Sequence, residues 1–198
     1  LTLNECFIFQ LFQKDMIVKK RLLKSYKFML DFYGIQLVNE DTGEVRRAEN
    51  WRDRFENLNR NTHNNLRITR ILKCLGLLGF KHYQAPLVHF FLVETLVNGT
   101  LPRVKKSALD YFMFAVLDKT ERKNLIRFAF TNLYSKEQFV WCPWRIQRKL
   151  LKEMTQKRHP SQTPACARRE VTHRQPHYRT QWIVQSPRRR NSARNNGA

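Results

Sequence analysis

Between Pro86 and Gly99 the chain reads PLVHFFLVETLVNG, which leaves no wide polar face when wound as a helix. Leu87, Phe90, Phe91, Leu96 and Val97 spread around its circumference, so this helix is expected at the centre of the fold. Pro86 suits a first helical turn, where its missing N–H leaves no hydrogen bond unmade, and the helix is expected to end before Gly99. An apolar helix of this kind must be wrapped by other elements, and the surrounding sequence supplies mostly helical periods.

From about Leu11 to Tyr33 apolar residues fall at Val18, Leu22, Tyr26, Met29 and Tyr33, the three-and-four spacing of one helix face. Lys19, Lys20, Lys24 and Lys27 lie between them on the solvated side, and Gly34 follows as a left-handed C-terminal cap. Ile35–Val38 and Val45 flank the turn signal Asn39–Gly43, a candidate small hairpin whose second arm is expected to end at Arg46-Arg47. Asn50 reads as the N-cap of a helix carrying Trp51, Phe55 and Leu58 on one face. These three are expected to be buried against a helix over Leu66–Leu75, with Arg52 and Arg54 at the surface. Asn57, Asn59, Asn61, Asn64 and Asn65 suggest a loop between the two helices, and Gly76 and Gly79 loosen and end the second. Pro102 opens a further helix with Leu109, Phe112, Met113 and Val116 on one face. Asp118 with Glu121 reads as a capping-box variant starting a helix near Lys119, which runs to about Tyr134 and turns Leu125, Phe128 and Leu133 inward. The expectation is an all-α domain, a compact bundle of five to six helices with short loops and room for one small hairpin.

Charge divides the chain. Of 37 Lys/Arg and 16 Asp/Glu, residues 144–198 carry 14 and 2, a net of +12, leaving +9 for residues 1–143. A domain over 1–143 and a basic tail over 144–198 are expected, the tail broken by Pro160, Pro164, Pro176 and Pro187. One short basic helix, Arg145 to Met154, is expected in it, and disorder in the remainder. So large a positive excess favours anionic partners: nucleic acid, acidic lipid surfaces or acidic proteins. Cys6, Cys74, Cys142 and Cys166 are far apart without CxxC pairing, which points to a reduced, intracellular setting. No apolar run approaches the ~20 residues that span a bilayer, and LTLNECFIFQLF lacks the basic lead of a signal peptide. The start at Leu1 suggests a fragment.

Several residues invite a functional reading. His63 with Asn64 and Asn65 suits either a general base or ligand site, or the cap of a helix starting near Leu66; the cap is the expected role. Arg67, Arg70 and Lys73 form one helical stripe; with Arg46, Arg47, Arg52, Arg54 and Arg60 nearby in sequence they suit a phosphate-binding patch, or else a solvated face with ion pairs to Glu44, Glu49, Asp53 and Glu56, and the solvated face is expected. Asp31, Glu94 and Asp110 are isolated acids suited to capping helices or pairing with Arg or Lys. His63, His82 and His89 are too far apart for a local metal pattern. The GxSxG, HExxH, phosphate-loop and kinase signatures are absent. No catalytic, cofactor-binding or metal-binding residue is expected, and the chain is not read as an enzyme. Lys157-Arg158 and Arg188–Arg190 are basic clusters of the nuclear-import type.

One long block adds a resemblance. RRAENWRDRFENLNRNTHNNLRITRILKCLG (Arg46–Gly76) resembles the conserved domain of the opioid growth factor receptor family. So do SYKFMLDFYGIQL (Ser25–Leu37), HFFLVETLVNGTLPRVKKSALDYFMF (His89–Phe114), DKTERKNLIRFA (Asp118–Ala129) and FVWCP (Phe139–Pro143), in the same order. The similarity covers roughly the first 143 residues, and family members have a further aromatic-rich segment upstream. The resemblance implies a receptor for a short opioid peptide, enkephalin, placed at the nucleus or nuclear envelope and restraining cell proliferation. It assigns no peptide contacts, so the binding residues are unknown at this point. The competing expectation is a basic module that binds nucleic acid or anionic membrane, in part through the tail.

Overall fold

The first break in the chain is set by one carboxylate. In the computed structural model, which describes residues 3–133, 142 and 144–158, Asp15 Oδ1 accepts from the backbone N–H groups of Ile17 (2.8 Å) and Val18 (3.2 Å). Such a cap satisfies donors that a helix start leaves orphaned. The single helix expected from Leu11 is therefore two, α1 (Leu3–Lys14) and α2 (Met16–Phe32). Tyr26 and Leu30 of α2 are buried, and Gly34 follows at φ +74°, in the left-handed region that favours glycine. A Cβ there would stand 2.7 Å from Trp51 Cα, so the close approach of the next helix also excludes a side chain.

Beyond Gly34 the chain makes an antiparallel hairpin, β1 (Ile35–Leu37) with β2 (Val45–Arg47), in the register Ile35↔Arg47, Gln36↔Arg46, Leu37↔Val45. Asn39 Oδ1 shapes the turn by accepting from Asp41 N (2.7 Å) and Thr42 N (3.2 Å). The second arm ends at Arg46-Arg47 as expected, and the two arginines lie on its opposite faces, Arg46 outward and Arg47 inward.

α3 (Trp51–Arg60) takes in Asn57 and Asn59, which were expected in a loop, so the connection to α4 (Asn64–Leu77) is only residues 61–63. Phe55 and Leu58 are buried as expected, and the Phe55 ring meets Phe90 of the central helix edge-on at 6.3 Å. Trp51 is half-buried rather than buried, and Arg54 is half-buried rather than fully exposed, its guanidinium over the Phe32 ring at 5.7 Å. The reason is that α3 begins on the hairpin's flank, where Arg47 covers the indole and the deeper core is out of reach.

A 3₁₀ turn (Lys81–Tyr83) leads into α5 (Gln84–Leu92), with Pro86 in its first turn, and the helix widens into a π turn over Val93–Val97. Leu87, Val88, Phe91 and Leu92 are almost fully buried, and α5 packs on β2, α4 and the helices that follow, which makes it the central element. α6 (Lys105–Ser107), a second π turn (Ala108–Phe112) and α7 (Met113–Ala115) carry Leu109, Phe112, Met113 and Val116 into the core, as their spacing predicts. Asp118 caps α8 (Lys119–Asn132), accepting from Thr120 N at 2.8 Å and Glu121 N at 3.0 Å. Among the described residues the return bond of a full capping box, from Glu121 to the cap's own N–H, is not made. Leu125 and Leu133 are buried, while Phe128 is half-buried beside His89. α9 (Trp144–Arg158) packs on α8, within the compact unit Leu1–Pro160. Among the described residues the fold is mostly helical with one two-stranded sheet. Tyr134, most of the Phe139–Pro143 block, and residues 159–198 with their Arg188–Arg190 cluster lie outside the described residues.

Candidate functional site

Two polar constellations organise the interior, and the sequence pointed to only part of either. Glu94, in the π turn after α5, is 3 % exposed. Arg47 reaches it from β2 with both prongs, Nε to Oε1 at 2.8 Å and Nη2 to Oε2 at 2.5 Å. Thr100 donates its hydroxyl to the same carboxylate at 2.6 Å, and the Arg47 guanidinium lies 4.1 Å from the centre of the Trp51 indole. The expectation that Glu94 pairs with Arg or Lys is thus met, by a residue 47 positions away. Gln84 is the second case: its Nε2 donates to Leu72 O and Ala115 O, both at 2.8 Å, and its Oε1 accepts from Leu117 N at 3.0 Å. It ties α4, α5 and the end of α7 together with every amide group satisfied. Gly76, expected to loosen α4, instead makes room for this amide: a Cβ there would sit 2.7 Å from Gln84 Nε2.

The residues singled out in advance do not converge. His63 precedes α4 at the N-cap position but makes no side-chain cap bond and is exposed. Asn64 and Asn65 are not caps; they lie buried in the first turn, Asn64 Oδ1 accepting from Arg67 at 3.4 Å and Asn65 Nδ2 donating to Arg103 O at 3.4 Å. Backbone bonds from Asn64 N to Asn61 O and from Asn65 N to Thr62 O satisfy two donors of the helix start, leaving the Asn65 amide for Arg103 O across the fold and the Asn64 amide for Arg67 within the helix. Asn50 holds its N-cap position without capping; its amide donates to Asp31 Oδ1 at 3.3 Å. Arg67, Arg70 and Lys73 are exposed along α4, and among the described residues none forms an ion pair with Glu44, Glu49, Asp53 or Glu56. Glu56 does pair with Arg60 one turn on, the one ion pair of the solvated-face reading that forms among the described residues.

Ionisation follows burial. Desolvation lowers the pKa of His89 beside Phe128, and of His82, where Asp41 partly opposes it. Desolvation likewise raises the Cys74 and Cys142 thiols, which keeps them protonated. Among the described residues no three His, Cys, Asp or Glu side chains stand close enough to hold a metal ion. No helix among them is long and apolar enough to cross a membrane.

Among the described residues two grooves are wide enough to receive a ligand. One, of about 600 Å³, runs between the C-terminal half of α2 and the outer face of the hairpin into α3. Lys27 and Arg46 line it as cations, Asp31 and Glu49 as acids, with Leu37 and Ala48 between. Lys27 is paired with Glu40 and Arg46 Nε donates to Gln36 at 3.1 Å, while Asp31 and Glu49 are in no ion pair among the described residues. Both strands of the hairpin also have an outer edge that no further strand covers in this two-stranded sheet. The other groove, of about 330 Å³, lies between α8 and α9.

The model of the opioid growth factor receptor conserved region matches residues 1–148. The chain is 54 % identical over 143 residues to the opioid growth factor receptor of Mus musculus, which covers 72 % of this chain and 22 % of that protein. It is 53 % identical over 143 residues to the Homo sapiens opioid growth factor receptor, with 72 % and 21 % covered. To opioid growth factor receptor-like protein 1 of Mus musculus it is 44 % identical over 153 residues, covering 77 % of the chain and 32 % of that protein. The chain thus spans between about a fifth and a third of these relatives' own lengths. No solved structure matches it. With the family model matching residues 1–148 and these relatives 44–54 % identical over 143–153 residues, the chain belongs to the opioid growth factor receptor family.

Proposed function

We propose that this chain is a peptide-binding receptor module whose ligand is a short opioid peptide, enkephalin, held in the groove between α2 and the hairpin. The relatives' names support the ligand class. The observation that carries the site is the pairing of unlike charges along one groove: Asp31 and Glu49 suit a peptide's free ammonium, and Arg46 its terminal carboxylate. Leu37 and Ala48 offer apolar contact between them, and a volume of about 600 Å³ lies within the range of small-ligand sites. The free edges of the hairpin add backbone donors and acceptors for an extended segment. With this reading goes a role in restraining cell proliferation at the nucleus or nuclear envelope.

Titration calorimetry of the full chain with enkephalin tests it. Saturable heat is expected, weakened by Asp31→Asn, Glu49→Gln or Arg46→Gln, which are exposed or groove-lining and should fold normally. Absence of saturable heat up to millimolar peptide, with the chain folded by circular dichroism, overturns the receptor reading. Binding that all three substitutions leave unchanged removes it from this groove.

A second reading, electrostatic binding of nucleic acid or anionic membrane, is favoured by one observation: Arg67, Arg70 and Lys73 stand exposed and unpaired among the described residues. Affinity for duplex DNA or acidic vesicles should then fall steeply with salt and be lost on reversing the three charges. A salt-insensitive binding curve removes this reading.

A further inference from the structure

The α8–α9 groove has a different chemistry from the hairpin groove. Lys119, Arg122, Lys123 and Ile126 recur at i, i+3, i+4 and i+7 on α8, and Ile146, Lys149, Leu150 and Glu153 recur with the same spacing on α9. Each helix therefore presents a single face to the groove. Ile126, Ile146 and Leu150 form an aliphatic floor, Leu150 only 5 % exposed, and the four cations form the rim. The one acid present, Glu153, is already held by Arg127 at 3.0 Å. None of the four rim cations is in an ion pair among the described residues. A zwitterionic peptide would find no free carboxylate here for its ammonium.

We infer that this groove is a docking site for an acidic amphipathic helix of a partner protein. Its apolar side chains seat on Ile126, Ile146 and Leu150, and its flanking carboxylates meet Lys119, Arg122, Lys123 and Lys149. The α8 face spans seven residue steps, about 10 Å at ~1.5 Å per residue, which matches two turns of a partner helix. Apolar contact supplies affinity in such grooves, and the charged rim selects the partner and speeds its arrival. The occupant is not the end of this chain, because residues 159–198 hold eight Arg and one Glu. Nucleic acid fits less well, since the floor is aliphatic and offers bases no ring to stack on. A bilayer surface fits less well too, because Leu150 is buried and Ile126 half-buried, so that of the floor residues Ile146 alone is exposed enough to enter a membrane.

Fluorescence anisotropy of the full chain with a labelled 14-residue helix tests the inference. The probe carries Leu at helical spacing and Glu on both flanks; a second probe has the same composition scrambled so that the apolar stripe is lost. The first should bind saturably and at least about tenfold more tightly than the second, a difference of about 1.4 kcal/mol. Lys123→Glu, Lys149→Glu and Ile146→Gln, all at exposed positions, should each weaken it severalfold, and Asp31→Asn in the hairpin groove should leave it unchanged. Equal binding of the two probes, or indifference to Ile146→Gln, overturns the proposal. So does displacement of the probe by oligothymidylate or by phosphatidylserine vesicles at lower concentrations than unlabelled peptide, which would assign the groove to those anions.

Discussion

Removing Arg47 should destabilise the fold more than removing the acid it binds. Glu94's side chain is 4 % exposed and Arg47's is 32 % exposed. Without Arg47 the carboxylate keeps only the Thr100 hydroxyl as a side-chain donor, in a place water hardly reaches. Breaking a buried pair by deleting one partner costs about 3–5 kcal/mol, and the lost stacking on Trp51 adds roughly 0.5–1 kcal/mol. Arg47→Met, which keeps the aliphatic stem, should therefore cost about 3.5–6 kcal/mol, a large share of the ~5–15 kcal/mol that holds a domain together. Glu94→Gln leaves a guanidinium that can turn to solvent and an amide oxygen that can still accept, so its cost should be nearer 1.5–3 kcal/mol, the approximate worth of a hydrogen bond to a charged group. The decisive variant is Arg47→Met with Glu94→Leu. Removing both charges removes the stranded carboxylate, and Thr100 keeps a second acceptor in the backbone oxygen of residue 94 at 3.2 Å. The double variant should be more stable than Arg47→Met alone. Urea melts of wild type, Arg47→Met, Glu94→Leu and the double variant, followed by circular dichroism, give the four free energies of the cycle. If Arg47→Met costs under about 1 kcal/mol, or the two changes simply add, the pair is not the buried clamp its geometry implies.

Three further outcomes follow from packing and capping. Phe55→Ala should cost about 3–5 kcal/mol and half-buried Trp51→Ala roughly half that, so equal midpoint shifts in urea would contradict the difference in burial. Gly34→Ala should cost more than the ~1–2 kcal/mol of an ordinary left-handed alanine, because its Cβ would also meet Trp51 Cα at 2.7 Å; a melt within 0.5 kcal/mol of wild type, roughly the scatter of a neutral substitution, would refute the close approach. Asp118's carboxyl is held below the usual range by the N–H groups of Glu121 and Thr120, so its cap stabilises the fold above the unfolded carboxyl's pKa and is lost as pH falls through the depressed folded value. The stability gap between wild type and Asp118→Ala should accordingly be full at neutral pH and shrink in strong acid, and a gap that widens on acidification would reverse the sign of this linkage.

What could be read from the sequence was what neighbours within about four residues decide. The apolar circumference of Leu87–Val97 announced the central helix, Asp118 the cap of α8, Gly34 the left-handed exit from α2, and Asn39–Gly43 the hairpin turn. Asp15 carried the same kind of local signal, a short acceptor directly before an apolar run, and marks the break between α1 and α2. Periodicity also placed Phe55, Leu58, Leu109 and Phe112 in the core. It went wrong at Trp51, whose spacing is right but whose helix starts at the rim of the core.

Tertiary structure alone decided where the polar groups go. Nothing near Arg47 in the sequence says that it turns inward, since its partner Glu94 comes 47 residues later on another element. Gln84 looks like any helix-start amide until α4 and the end of α7 bring Leu72, Ala115 and Leu117 to it. Asn65 has cap chemistry, yet a backbone bond to Thr62 O satisfies its own N–H and its amide reaches Arg103 O on a distant segment. Both grooves are likewise products of assembly: one needs α2 against the hairpin, the other α8 against α9. The physical reason is range. Backbone hydrogen bonding and side-chain periodicity act along a few residues of chain and leave their mark there, whereas a buried charge or amide can be satisfied by any group the fold brings within about 3 Å.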